Sequence, residues 1–300
     1  MASKEIIDHD QDKFIEQQSL KHLLKKNLCE IENISLGNIS AGIPTSFFDF
    51  DAMTQGLRRG DLIAFAGRPS MGKTSLALQF ARNIAGQNLP VCFFGFDLSK
   101  EELVYRILGM EVGIEIGRIR TGRFTSEEWQ LVYEKNAKLE SLPIFIEDKK
   151  AISIDEIKNK CRDISMTNNE KGLGLIIIDS YQLMEYSNLD DYQSLLEKNT
   201  RDLKTLAKEL NVPVLITAPI SRRVEERENC RPMLSDIRDS DVLEDYGDII
   251  VMLYRDEYYD PETEDRGIAE LIVTTHRNGP VGTIKMLFEP QFGRFRNLVA

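Results

Sequence analysis

From residue 42 onward, short runs of apolar, β-type residues alternate with longer stretches of helical periodicity. Residues 61–66, 91–96, 144–147, 173–178 and 212–217 read as buried strands, and 75–84, 100–109, 126–139, 154–165 and 195–210 as helices. Continuous apolar strands separated by helices predict a mainly parallel twisted sheet flanked by helices on both faces, an α/β fold. Past Asp248 the spacing changes to strands with short connections, 249–254, 268–275 and 281–288, which predicts antiparallel hairpins extending the sheet at its carboxyl-terminal side. Residues 12–35 stand apart. Leu20, Leu23, Leu24, Leu28 and Ile31 recur near helical spacing with Lys21, Lys25, Lys26 and Glu30 between them, an amphipathic helix. A polar stretch over 33–42, with Pro44 soon after, reads as a linker. The expected organisation is an amino-terminal arm over 1–40 and one larger domain over 41–300.

Composition narrows the function classes. A chain of 300 residues with 42% apolar content can bury one core of large-domain size plus an appendage. The apolar run 173–178 falls far short of the roughly 20 residues that a bilayer span needs. The first residues carry early acids and no apolar stretch of signal-peptide length, so a cytoplasmic location without membrane association is expected. Cys29, Cys92, Cys161 and Cys230 are scattered, and His9, His22 and His276 lie far apart, which argues against a zinc site or a disulfide framework. A net charge of −11 argues against coating nucleic acid by bulk electrostatics, yet leaves room for a local basic site.

The chemical signal sits between the first strand and the first long helix of the domain. Gly67-Arg-Pro-Ser-Met-Gly72-Lys73-Thr74 fits G-x-x-x-x-G-K-[ST] without a mismatch. In that context free N–H groups and the helix dipole turn toward an anion. Gly67, Arg68, Pro69, Ser70, Met71, Gly72, Lys73, Thr74 and Ser75 are therefore the candidate seat for the phosphates of ATP. Lys73 reaches the outer phosphates and the Thr74 hydroxyl ligates Mg2+. A second acid belongs at the end of a neighbouring strand, and Asp179, after the apolar run Leu175-Ile-Ile-Ile178, supplies it. Asp97 is the candidate to polarise an attacking water. A helix N-cap is the competing reading, because Asp caps helices well.

A resemblance then covers almost the whole chain. Gly42-Ile-Pro-Thr-Ser-Phe-Phe-Asp-Phe-Asp51, the phosphate loop, Ile119-Arg-Thr-Gly122, Leu203-Lys-Thr-Leu-Ala-Lys-Glu-Leu-Asn-Val-Pro213, Tyr254-Arg-Asp-Glu257 and Arg277-Asn-Gly-Pro280 together resemble the carboxyl-terminal motor domain of DnaB-type replicative helicases. The resemblance implies a RecA-like P-loop NTPase that assembles as a homo-hexamer around single-stranded DNA, with primase or a helicase loader as possible partners. The first 36 residues resemble the family's linker helix, which packs on the adjacent subunit, and the globular domain that usually precedes it has no counterpart in this sequence. By position, Lys73, Thr74 and Asp179 match the family's phosphate and magnesium residues. Arg277 matches its arginine finger, donated from one subunit into the nucleotide of the next. Arg238 and Asp239 fall in the segment that contacts the DNA backbone.

Several positions depart from the family pattern. Asp97 stands for a glutamate and is one methylene shorter, Pro219 for a glutamine, Thr275 for a lysine and Asp241 for a glycine. A carboxylate at 241 would repel phosphate, and a proline at 219 offers neither a side-chain donor nor an N–H. Two readings follow: a DNA-translocating ATPase, or a non-motor nucleotide-binding ring or regulatory subunit with weak hydrolysis. A recombinase or clock-type RecA relative is a third, opposed by the segments at 254–257 and 277–280.

Overall fold

The computed structural model describes residues 19–149, 152–167, 172–184, 192–237 and 240–298. The chain divides into two compact units, Met1–Ala41 and Gly42–Ala300. In the first, helix α1 (Leu20–Ser35) starts where the Ser19 hydroxyl accepts from the His22 N–H, and none of its apolar positions is buried within its unit. Residues 12–18 of the expected helix lie outside the described residues.

In the second unit, α2 (Phe48–Thr54) precedes β1 (Leu62–Gly67), α3 (Lys73–Ala85), β2 (Val91–Gly95), α4 (Lys100–Val112), α5 (Ile116–Thr121), α6 (Ser126–Leu139) and β3 (Ile144–Glu147). Then follow α7 (Ile154–Thr167), β4 (Leu175–Asp179), α8 (Tyr192–Glu209), β5 (Val214–Pro219), α9 (Ser240–Tyr246) and the strands β6 (Ile249–Tyr254), β7 (Ile268–His276), β8 (Gly282–Glu289) and β9 (Arg294–Asn297). The strands form one nine-stranded sheet in the order β3-β2-β4-β5-β1-β6-β7-β8-β9. From β3 to β6 the pairs are parallel, and from β6 to β9 antiparallel. The antiparallel pairs expected past Asp248 are present, and strand β6 joins them to the rest of the sheet, pairing parallel with β1 before β7 turns back along it. The chain reaches β6 through α9, and a crossover of that kind brings a strand in parallel to its neighbour, whereas a short turn reverses it.

The central strands are apolar on both faces because both faces are covered. Along β1, Ile63 and Phe65 enter one core with α3 and α4, while Leu62, Ala64 and Ala66 enter the other with α7 and α8. On the first face Phe50, Phe65 and Phe80 meet edge to face, with ring centroids 5.2–6.5 Å apart. Helix starts are set by local chemistry. Ser99 with Glu102 closes a reciprocal cap on α4, and Thr125 with Glu128 does the same on α6. Helix α3 has no side-chain cap; its N-cap is Gly72. Among the described residues no side chain accepts from the first N–H groups of α3.

Candidate nucleotide site

The carboxyl ends of β1, β2, β4 and β5 meet at one edge of the sheet, where open parallel sheets hold ligands. A cavity of about 580 Å³ lies there, lined by Ser70, Gly72, Lys73, Thr74 and Ser75 of the phosphate loop, by Asp97 beyond β2, and by Asp179, Ser180 and Gln182 at the end of β4. Pro69 of the same loop, Pro219 of β5, Arg106 of α4, and Phe288 and Pro290 around the end of β8 complete its walls.

The loop is held from beneath. Met71 is 1% exposed and packs into the core below α3, so its side chain anchors the loop. Gly72 sits at φ +97° with the Phe295 and Phe288 rings close by; a Cβ there would lie 3.0 Å from Phe295 Cζ and 3.1 Å from Phe288 Cζ. Glycine is needed at this position on both counts. The Arg68 guanidinium turns away from the cavity, donating to Glu225 at 2.9 Å and to the Ile220 carbonyl at 3.3 Å.

Lys73 folds back on its own loop, Nζ donating to the carbonyls of Gly67 at 2.8 Å and Arg68 at 3.1 Å. Burial pulls its pKa down to about 8, with Asp179 and Asp97 opposing the fall. Asp179 is 5% exposed, and burial pushes its carboxyl above the ordinary range. Hydrogen bonds from Thr217 and Thr74, and the nearby Lys73, hold it down again, and Asp97 adds a smaller upward push. The Thr217 hydroxyl donates to Asp179 Oδ1 at 2.5 Å from a fully buried position on β5. Two hydroxyls and an ammonium thus converge on one buried carboxylate beside the loop; of these, the Asp179 carboxylate and the Thr74 hydroxyl are the hard oxygen donors that a small divalent cation takes.

Asp97 is exposed and faces this cavity. The cap of α4 is Ser99, so the competing reading of Asp97 as a helix N-cap does not hold. The Phe96 N–H bonds the Asp179 carbonyl at 2.8 Å, which brings the ends of β2 and β4 side by side. Arg277 is not among the cavity-lining residues of its own chain. Its Nε donates to the Gly247 carbonyl at 2.9 Å and its Nη2 to the carbonyls of Glu244, at 3.3 Å, and Asp245, capping the carboxyl end of α9. Arg238 and Asp239 lie outside the described residues. Asp241 is exposed in the first turn of α9 and carries no positive φ, so the backbone there does not require the glycine of the family pattern.

Of the residues that escaped the sequence reading, Arg106 and Gln182 carry polar side chains into the cavity wall, and Thr217 lies buried behind Asp179. Thr217 had a signal, a lone hydroxyl in the buried run Val214-Leu-Ile-Thr-Ala. Gln182, three residues past Asp179, had only its position, and Arg106 resembled any helix-surface arginine.

Strand order, phosphate loop and the acid on the adjacent strand define a P-loop NTPase domain of RecA type. The family described as "DnaB-like helicase C terminal domain" matches residues 42–297, and the chain belongs to that family. It is 41% identical over 286 residues to "Replicative DNA helicase DnaC" of Bacillus subtilis (strain 168), covering 94% of this chain and 62% of that protein. It is 39% identical over 307 residues to "Replicative DNA helicase DnaB" of Geobacillus stearothermophilus, covering 98% of this chain and 67% of that one. Among solved structures, one described as an "ATPase Domain" superposes with a TM-score of 0.89 at 36% identity, covering 94% of this chain and 99% of that chain. "The Structure Of A DnaB-Like Replicative Helicase And Its Interactions With Primase" superposes with a TM-score of 0.85 at 32% identity, covering 99% of this chain and 77% of that one. Among the described residues no helix is long and apolar enough to cross a membrane.

Proposed function

We propose that the chain is the motor part of a replicative DNA helicase, hydrolysing ATP at subunit interfaces of a homo-hexamer and moving along single-stranded DNA in the cytoplasm. The observation that carries the reading is that, among the described residues, the start of α3 takes no side-chain cap and the lysine beside it bonds its own loop carbonyls alone. A triphosphate would take over both: the free N–H groups of the first turn accept it, and Lys73 exchanges carbonyl partners for phosphate oxygens. Thr74 and Asp179 would hold Mg2+, which supplies positive charge to the outer phosphates. Thr217 fixes the Asp179 carboxylate against rotation, and Asp97 orients a water toward the terminal phosphorus. Arg106 adds a cation to the cavity wall. Arg277 lies off its own chain's cavity, which suits donation to the nucleotide of a neighbouring subunit, where it would stabilise charge on the transferring group. Arg238 and Asp239 are the proposed DNA contacts, and primase or a helicase loader the further partners.

The test is steady-state ATP hydrolysis with and without single-stranded DNA, on protein of known assembly state. Turnover accelerated by DNA is expected, and tight nucleotide binding without turnover would refute the motor. Lys73→Ala should abolish nucleotide binding. Arg277→Ala should lower hydrolysis by the assembled protein and leave nucleotide binding by the isolated chain intact; weaker binding by that chain would rule out a role in trans.

A further inference from the structure

Gln182 follows the magnesium acid by three residues, in the short 3-10 turn Tyr181–Leu183. Its neighbours pin that turn. The Tyr181 side chain is fully buried and Met184 is 3% exposed, both in the core beneath the sheet. Gln182 is the cavity-lining residue between these two anchors, and it shares the wall with Lys73, Thr74, Asp97 and Asp179.

The side-chain amide is half satisfied. One end lies 3.4 Å from the Ser180 hydroxyl, while the buried Nε2 finds no partner among the described residues. Turning the amide over changes which end meets Ser180 and leaves the other buried end alone, so the shortfall does not depend on how the group is oriented. A buried amide without a partner is costly, and natural structures hold few of them. Among the described residues that line the cavity, Gln182 is the one with a side-chain amide, and Pro219, at the end of the neighbouring strand β5, has no donor at all.

We propose that Gln182 touches the reacting nucleotide: its amide donates a hydrogen bond to an oxygen of the terminal phosphoryl group, at the end of the cavity marked by Thr74 and Asp179. The proposal rests on the nucleotide site described above. A neutral donor there adds to the cations Lys73 and Arg277, and its contribution grows as charge accumulates on the phosphoryl oxygens in the transition state.

The experiment compares the full chain with Gln182→Met, which keeps the length of the side chain and removes the amide. Binding of ADP with magnesium, binding of ADP with magnesium and aluminium fluoride, ATP hydrolysis and thermal midpoint are measured on both. ADP affinity should stay within about threefold, while hydrolysis and affinity for the aluminium fluoride complex fall together by about tenfold to a hundredfold, the range for loss of one transition-state donor. The thermal midpoint of the nucleotide-free variant should be unchanged or higher, because an unsatisfied buried group has gone. Gln182→Glu, which sets a carboxylate against phosphate, should fall below the methionine variant in both readouts. Equal losses for ADP and for the aluminium fluoride complex with a lowered thermal midpoint would mean a structural role and overturn the proposal. So would aluminium fluoride affinity within about twofold of the parent. Lys73→Ala is measured alongside: if it binds ADP as the parent does, the nucleotide site itself is misassigned, a failure distinct from that of Gln182.

Discussion

Asp61, at the entrance to β1, is held at a cost that pH can read. Burial, and after it the neighbouring Asp248, raises its pKa to about 6, against the pull of Lys204, Arg58 and His276. Lys204 serves two carboxylates: it bonds Asp248 directly and lies 3.9 Å from Asp61 Oδ1, while also donating to the Gly60 carbonyl at 2.8 Å. Asp248 has a second partner in the Leu62 N–H at 2.7 Å, so Asp61 is the member left short. The folded pKa lies above the unfolded one, so the native state binds the proton more tightly. Stability from this group is fully present below the unfolded value near 3.8 and is lost as pH rises through about 6. Integrated, the loss between pH 4.5 and 7.5 is about 2 kcal/mol. Asp61→Asn removes the titration and keeps the shape. The difference in unfolding free energy between variant and parent cancels the other carboxylates and should rise by about 2 kcal/mol across that window. At pH 7.5 the variant's thermal midpoint should be up by about 5 °C, given the size of the domain. Urea melts at four pH values measure it. A difference that stays flat with pH, or a less stable variant at pH 7.5, would refute the reasoning.

Three substitutions probe the nucleotide site in separate ways. Gly72→Ala sets a methyl against Phe295 and Phe288 at positive φ, which should cost about 1–3 kcal/mol and weaken nucleotide binding; parental affinity and thermal midpoint would contradict the packing argument. Asp97→Glu lengthens the side chain proposed to orient the water and should raise turnover by up to about a hundredfold at unchanged nucleotide affinity, and turnover that stays level or drops would take Asp97 out of the reaction. Thr217→Val deletes the 2.5 Å bond to Asp179 with little change of shape, at a cost of about 1–3 kcal/mol to the buried carboxylate. It should shift the magnesium dependence of ATP hydrolysis to higher concentration; an identical magnesium titration would show that Thr217 does not hold the acid in its working position.

Much of this architecture could be read before any coordinates, because buried parallel strands are apolar without interruption and the helices between them are periodic. The expected segments 144–147, 126–139 and 249–254 coincide with β3, α6 and β6 at both ends. The pairing of β6 could not be read, since an apolar strand looks the same whether its neighbours run with it or against it; the crossover through α9 decides it. The short helices α2, α5 and α9 went unseen, being at most seven residues and too brief to show a period. At the site, the phosphate loop and Asp179 were visible because each is tied to a strand end by a fixed spacing. Thr217, Arg106 and Gln182 come from a strand, a helix and a turn with no mutual spacing, and only the closing of the sheet edge brings Arg106 and Gln182 to one cavity, with Thr217 behind Asp179.

The way the cavity is built also bears on the positions expected to depart from the family pattern. Its floor is part of the core: Met71 is buried beneath α3, Gly72 lies on two rings, and Asp179 is locked to Thr217, so change there would disturb folding as well as binding. Its rim is made of strand ends. Asp97 is exposed beyond β2, and Pro219 stands at the last position of β5, where a missing N–H does least harm to the sheet. Of the departures expected from the resemblance, Asp97 and Pro219 line the cavity, and both lie on that rim. Nucleotide binding is therefore bound up with the stability of the fold, whereas the rate of the chemical step rests on side chains that can change without loss of the fold. Substitutions on the rim should move turnover and leave the melting temperature alone, and substitutions on the floor should move both together.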